Sequence, residues 1–205
     1  MHLEKSIDND ATVKKNYDRY VFRTIDDVHD RESKADREQS VATYASSFIK
    51  RIAEPLERVL PGLKLESLGR PARGDATFYF SKNGKKHFHY KNLSGGDKAT
   101  FDLLLDMVVK TEEFDDSILC IDEPEAHLNP AVQGQCLEEL FKLTPDRCQL
   151  WLATHSIGML RRARDLAAEN SGSIVFLDFQ RDLDQPVRIR PVSYTHLTLP
   201  TTPYV

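Results

Sequence analysis

Residues 117–130 read SILCIDEPEAHLNP. Four apolar residues, Ile118 to Ile121, run directly into two adjacent carboxylates, Asp122 and Glu123, and then into Pro124. No other stretch limits the fold as strongly. A short apolar run of this kind suits a buried strand of a parallel sheet. The carboxyl end of such a strand opens on the crevice where α/β proteins bind their ligands. Two neighbouring carboxylates there repel each other unless a cation or a proton relay uses them. In phosphoryl-transfer sites a strand-end aspartate holds Mg2+, usually through water, and a second carboxylate can take the proton of the attacking water. Asp122 suits the first role and Glu123 the second. A surface turn that merely begins with acids accounts for the same letters.

The rest of the chain supplies the elements around that junction. QLWLAT, residues 149–154, reads as a second buried strand with Trp151 in the core, and SIVFLDF, residues 173–179, as a third. Between them, Asn129 and Pro130 suit the N-cap and first turn of a helix running to Leu143. Ser156 can cap another helix, running to Leu166. Strands alternating with helices at this spacing predict an α/β fold, a parallel sheet flanked by helices.

Upstream, the apolar positions 41, 45, 48, 52, 56, 59 and 60 recur at helical spacing. Pro55 should kink or divide that helix, and Pro61-Gly62 should end it. TFYFSKNGKKHFHY, residues 77–90, places two aromatic-rich alternating runs around Asn83-Gly84, a strong hairpin signal. Leu93 to Thr111 reads as a turn and a helix with Phe101, Leu104, Leu105 and Val108 on one face. Residues 1–39 are dense in charge, with RYVF as an apolar island.

Composition narrows the class. Lysine and arginine number 28 against 32 aspartates and glutamates, a net charge of −4. That balance gives no global basic field of the kind a nucleic-acid binder shows. The N-terminus has no apolar signal segment, and no apolar run approaches the ~18 residues of a membrane span. Cys120, Cys136 and Cys148 are odd in number and lack C-x-x-C spacing, so three buried free thiols in a reducing cytoplasm are expected.

Two further motifs complete a pattern. NLSGGDK, residues 92–98, stands just before a helix. Ser94 offers a hydroxyl and a cap, while Gly95 and Gly96 leave their amides unobstructed, as an anion site at a helix N-terminus requires. LATHS, residues 152–156, puts His155 at the end of the second strand, where a neutral imidazole can donate to a phosphate oxygen or orient water. Singly, each motif suits an ordinary capped helix or a structural histidine.

Taken in order, L-S-G-G-x, apolar residues ending in D-E-P, and T-H-S resemble the ABC-type P-loop ATPase domains. Leu93–Asp97 matches their signature motif, Ile118–Glu123 their Walker B strand, and His155 their switch histidine. DEPEAHLNP and SGGDK look less like transporter subunits, whose usual form is DEPTSALD. They resemble the soluble RecF-like, SMC-like and OLD-like branch, often described as AAA-family ATP-binding proteins. The likeness covers about residues 76–180. Asp97 stands where the family usually has Glu or Gln.

The resemblance implies ATP and Mg2+ as ligands, with Asp122 toward the metal and Glu123 and His155 catalytic. It implies that Ser94, Gly95 and Gly96 act in trans on the nucleotide of a second copy, with Asn129 in the D-loop position at the same interface, His127 near it, and a homodimer as the working state. It admits DNA as a partner and a nuclease as partner or further domain, and requires neither. No membrane partner is implied, and the location expected is cytoplasmic.

The chain then divides into a charged segment (1–39), a helix and hairpin (40–92), the ATPase core (93–191) and a tail (192–205). The tail changes character abruptly. Val192 to Thr201 resembles the in-frame translation of a sequencing-library adapter, so it is set aside, and the gene is expected to continue past Pro191. The phosphate-cradling pattern G-x-x-x-x-G-K-[ST] occurs nowhere in the chain. The expectation is therefore a fragment of an ATPase tied to DNA repair, maintenance or defence, binding ATP poorly when alone. The alternative is a non-hydrolytic module that docks on a complete ATPase. Lys82, Lys85, Lys86, Lys91 and Lys98 with His87 and His89 form a basic patch, either a nucleic-acid contact or a solvated rim. His87 and His89, two apart on a strand, share a face and could bind a metal, with no third ligand nearby. The arginines of RRAR, residues 161–164, either face the crevice or face solvent.

Overall fold

A computed structural model describes residues 15, 18, 41–68, 78–114, 116–180 and 188–192. The charged segment 1–39, apart from residues 15 and 18, and the tail beyond Val192 lie outside the described residues.

Helix α1 spans Val41–Val59. Its apolar spacing puts Phe48, Ile52, Leu56 and Val59 in the core. Pro55 lies inside the helix without dividing it. The proline removes one N–H from the ladder, but its ring is buried beside Leu56, so packing on that face holds the helix together.

Strands β1 (Leu63–Leu68), β2 (Phe78–Lys82) and β3 (Lys85–His89) form an antiparallel sheet in that order. The hairpin turns at Asn83 and Gly84, whose φ values of 51° and 81° are both left-handed. Asparagine and glycine carry that geometry at low cost. Phe78 and Phe80 project from β2 onto Phe101, each at 4.9 Å between ring centroids in edge-to-face contact. Phe101 belongs to α2 (Gly95–Glu113), whose Leu104, Leu105 and Val108 are buried as expected. The main core thus sits between α1, α2 and the three-stranded sheet.

Strands β4 (Ile118–Asp122) and β5 (Gln149–Ala153) pair in parallel, in register from Ile118↔Gln149 to Asp122↔Ala153. They differ from the sequence expectation in one respect. Leu119, Ile121, Leu150 and Leu152 pack against the core, but Ile118 is 62% exposed and Trp151 51% exposed. Trp151 is therefore not core, and Cys120 is exposed beside it. An apolar run specifies a strand without specifying whether both faces are covered. Of the other cysteines, Cys136 is buried and Cys148 is half-buried.

Helix α3 (Pro130–Leu143) links β4 to β5, and α4 (Ile157–Glu169) follows β5. The expected third strand forms as β6 (Phe176–Gln180), but it pairs antiparallel with β7 (Arg188–Val192). Joining segments close in sequence has the smaller loop-closure cost. The α/β class stands, with a parallel pair and its helices at the centre of the site. No helix among the described residues is long and apolar enough to cross a membrane.

Two ionic links fix α3. Glu139, fully buried, accepts Arg58 Nε at 2.9 Å and Nη2 at 2.7 Å on one oxygen. Its other oxygen accepts Gln135 Nε2 and Lys142 Nζ, each at 3.3 Å. The Glu139 hydrogen bond holds the Arg58 guanidinium above its ordinary range, against partial burial. Glu138 accepts Arg162 of α4 at 2.9 Å. The first link ties α3 to α1, the second to α4.

Candidate functional site

The apolar alternation of β4 stops at Asp122, and the chain enters a turn built from its own amides and carbonyls. Ala126 N–H donates to Glu123 O at 3.0 Å, and Leu128 N–H to Glu125 O at 2.9 Å. Pro124 and Leu128 are buried and anchor the turn. Asn129 ends it by capping α3, its Oδ1 accepting Ala131 N–H at 3.0 Å. Glu123 and His127 hold left-handed φ values of 45° and 67°. That conformation costs a non-glycine residue roughly 1–3 kcal/mol and persists where surrounding contacts impose it. At Glu123 one such contact lies in the ladder itself. Its N–H donates to Ala153 O at 2.8 Å, extending the β4–β5 pairing one step past Asp122.

The parallel register brings Asp122 and Glu123 level with the end of β5. His155 follows two residues after Ala153. All three side chains are exposed, and they come from the carboxyl ends of adjacent strands. Two exposed carboxylates at a strand end are a donor set that suits Mg2+, which keeps several waters and takes one or two carboxylates. No group of three metal-ligating side chains occurs among the described residues.

The signature residues stand at the other end of the same turn. Ser94 caps α2, its hydroxyl accepting Asp97 N–H at 3.2 Å. Ser94 and Gly95 are exposed, and a Cβ on Gly95 would meet nothing within 4 Å. Gly96 faces inward: a Cβ there would lie 3.4 Å from His127 O and 3.9 Å from Asn129 N. The start of α2 and the start of α3 therefore adjoin; α3 opens on Pro130, which has no N–H, and its Ala131 and Val132 amides are bound by Asn129, so the helix end that presents glycine amides is that of α2. Such an end suits a phosphate.

Asp97, the departure from the usual Glu or Gln, forms an ion pair with Lys82 of β2. Lys98 lies over the Tyr90 ring at 5.2 Å. Of the basic patch, Lys85, Lys86, His87 and Lys91 are exposed. The shared face expected for His87 and His89 is interrupted. His87 takes a φ of 62°, and His89 packs its ring 4.7 Å from Tyr79. In RRAR, Arg162 is bound to Glu138 and Glu169, and Arg164 to Asp165, leaving Arg161 exposed.

Sequence reasoning missed Glu125 and Gln133. Glu125 Oε1 accepts the backbone N–H of His155 at 2.8 Å. The Ser156 hydroxyl donates to Gln133 Oε1 at 2.6 Å and accepts Met159 N–H at 3.0 Å. A side chain that serves the backbone of a residue 30 positions away leaves no periodic trace.

Over residues 7–161 the chain matches the family described as "AAA domain, putative AbiEii toxin, Type IV TA system". No curated protein matches it. Among solved structures it is similar to one from work on ATP-driven dimerization and DNA-stimulated activation of SMC ATPases. That likeness has a TM-score of 0.54 at 18% identity, over 74% of this chain and 87% of that one. An Smc head bound to the C-winged helix domain of ScpA gives a TM-score of 0.56 at 16% identity, over 75% of this chain. An Smc head with a coiled coil and joint from Pyrococcus yayanosii gives 0.53 at 17%, over 86% of this chain. The chain spans only 45% and 31% of these last two. At such identities the likeness is one of fold.

Proposed function

Since the chain belongs to this AAA-domain family, with the fold of SMC-type ATPase heads, we propose that it carries part of a composite ATP-hydrolysing site. ATPase-type function comes with the family, whose members generally use ATP and Mg2+. The observation that carries the assignment to residues is the β4–β5 register, which sets Asp122 opposite Ala153 and ties Glu123 N–H to Ala153 O.

Asp122 would hold the metal through water, and Glu123 stands next to it as the proton acceptor for the attacking water. A bound Mg2+ supplies charge neutralisation on the phosphates. His155 donates to a phosphate oxygen or orients that water. Ser94, Gly95, Gly96 and Asn129 face the nucleotide of a second copy, which makes the working unit a two-fold dimer. The exposure of Ser94, Gly95 and Asn129, and the packing of Gly96 on the His127–Asn129 backbone, support a rigid surface for that purpose.

The SMC relative is described by ATP-driven dimerization and DNA-stimulated activation. By analogy we place this chain in DNA repair, maintenance or defence. DNA would meet the exposed Lys85, Lys86 and Lys91, and a nuclease is compatible as partner or further domain.

The test is Mg2+-dependent ATP turnover by the chain with and without a separately expressed P-loop segment from an AAA-domain relative. Turnover is expected only with both present, and Glu123→Gln should abolish it while retaining nucleotide. Turnover by the chain alone overturns the shared site; turnover that survives Glu123→Gln overturns the assignment of the base.

A further inference from the structure

The segment that carries His155 is gripped by two side chains with no role in the chemistry above. Glu125, in the middle of the turn, accepts His155 N–H at 2.8 Å. Gln133, in the first part of α3, accepts the Ser156 hydroxyl at 2.6 Å, and its Nε2 lies 3.4 Å from Leu128 O. The segment 155–156 is thus held at the His155 backbone N–H and at the Ser156 hydroxyl while the imidazole of His155 stays exposed. Both grips originate in the stretch that presents His127 O to Gly96 and Asn129 to the surface.

We propose that Glu125 and Gln133 are positioning residues that lock the His155 backbone to the turn ending at Asn129, so that displacement of Asn129 is transmitted to His155. Its bearing on catalysis rests on the ATPase reading above; the lock itself does not. A carboxylate accepting a backbone N–H is among the stronger protein hydrogen bonds. The left-handed residues Glu123 and His127 on either side leave the turn few alternative paths. A shift at its far end therefore reaches Glu125 rather than dissipating between.

Amide exchange at single-residue resolution on the whole chain reads the lock. In Glu125→Ala the His155 amide should exchange roughly tenfold faster or more, with Leu104 and Leu105 in α2 unchanged. Glu125→Gln, whose carbonyl still accepts, should keep most of the protection. Equal acceleration at all three amides would reduce Glu125 to a general stabiliser, and no acceleration would remove it from the lock; either overturns the proposal.

Transmission is read from the His155 ring NMR signals after Asn129→Ala. They should move in the wild-type background and stay still in Glu125→Ala/Gln133→Ala. Signals that move in both, or in neither, overturn it. Neither readout uses nucleotide. If both hold while turnover is indifferent to Glu123→Gln, the ATPase reading fails and the lock stands.

Discussion

Replacing Arg58 with alanine strips a fully buried carboxylate of its two shortest hydrogen bonds, the 2.9 Å and 2.7 Å contacts to Glu139. Breaking a buried ion pair by removing one partner costs about 3–5 kcal/mol, whereas an exposed pair contributes at most about 1 kcal/mol. Arg58 lies between these limits, its side chain 46% exposed. Lys142 and Gln135 remain 3.3 Å from the other oxygen. The expected loss is therefore about 2 kcal/mol. Urea unfolding checks it: the midpoint should fall with the slope unchanged. Replacing both residues with methionine should bring stability back to within ~1 kcal/mol of wild type, because a well-packed apolar pair needs no compensation. An Arg58→Ala loss below ~0.5 kcal/mol would refute the reasoning, since Glu139 would then not depend on Arg58.

Four other outcomes are expected. Glu138 is held below its ordinary range, first by the Lys142 hydrogen bond and then by the Lys142 and Arg162 charges, against partial burial. Its contribution is present above the unfolded value of ~4.3 and lost as pH falls through the lowered folded value; acid titration of Glu138→Gln should lack that part of the decline. Burial pushes the Cys136 thiol up to about 12, so iodoacetamide at pH near 8 should label Cys120 first and Cys136 only on unfolding, as mass spectrometry would read. The single tryptophan, Trp151, should be readily quenched by acrylamide; resistance would mean that its face is covered. Gly95→Ala should stabilise the chain by about 0.4–1 kcal/mol, and Gly96→Ala should gain no more than that, because its Cβ would sit against His127 O at 3.4 Å. Thermal unfolding of the two variants compares them directly.

The sequence was informative wherever the chemistry is local. The Asn83-Gly84 hairpin, the caps at Ser94, Asn129 and Ser156, and the buried face of α2 all form where turn chemistry and helical spacing put them. Strand β1 has no counterpart in the sequence expectation, although Leu63 and Leu65 alternate with Lys64, because it follows directly on the Pro61-Gly62 helix end. What the letters withheld depends on neighbours far along the chain. Trp151 and Ile118 look like core in an apolar run, and only the assembled sheet decides which face is covered. The partner of β6 is a pairing choice, which hydrophobicity alone does not encode. At the site, the three motifs stand out as residue types. The grip of Glu125 on His155 does not, because any carboxylate near the turn would read the same in one dimension.

The Arg58–Glu139 link joins residues 81 positions apart, which sets an order of events during synthesis. Ribosomes add roughly 5–20 residues per second. Helix α1 therefore waits at least about 4–16 s after Arg58 is made before its acidic partner exists. During that interval the stripe of Phe48, Ile52 and Leu56 can be covered by α2 as soon as Phe101 and Leu105 emerge, but α3 cannot be fastened to it. This contact, which closes only once residue 139 is made, anchors the helix capped by Asn129, so the nascent chain assembles its apolar lobe first and gains a fixed site surface only afterwards.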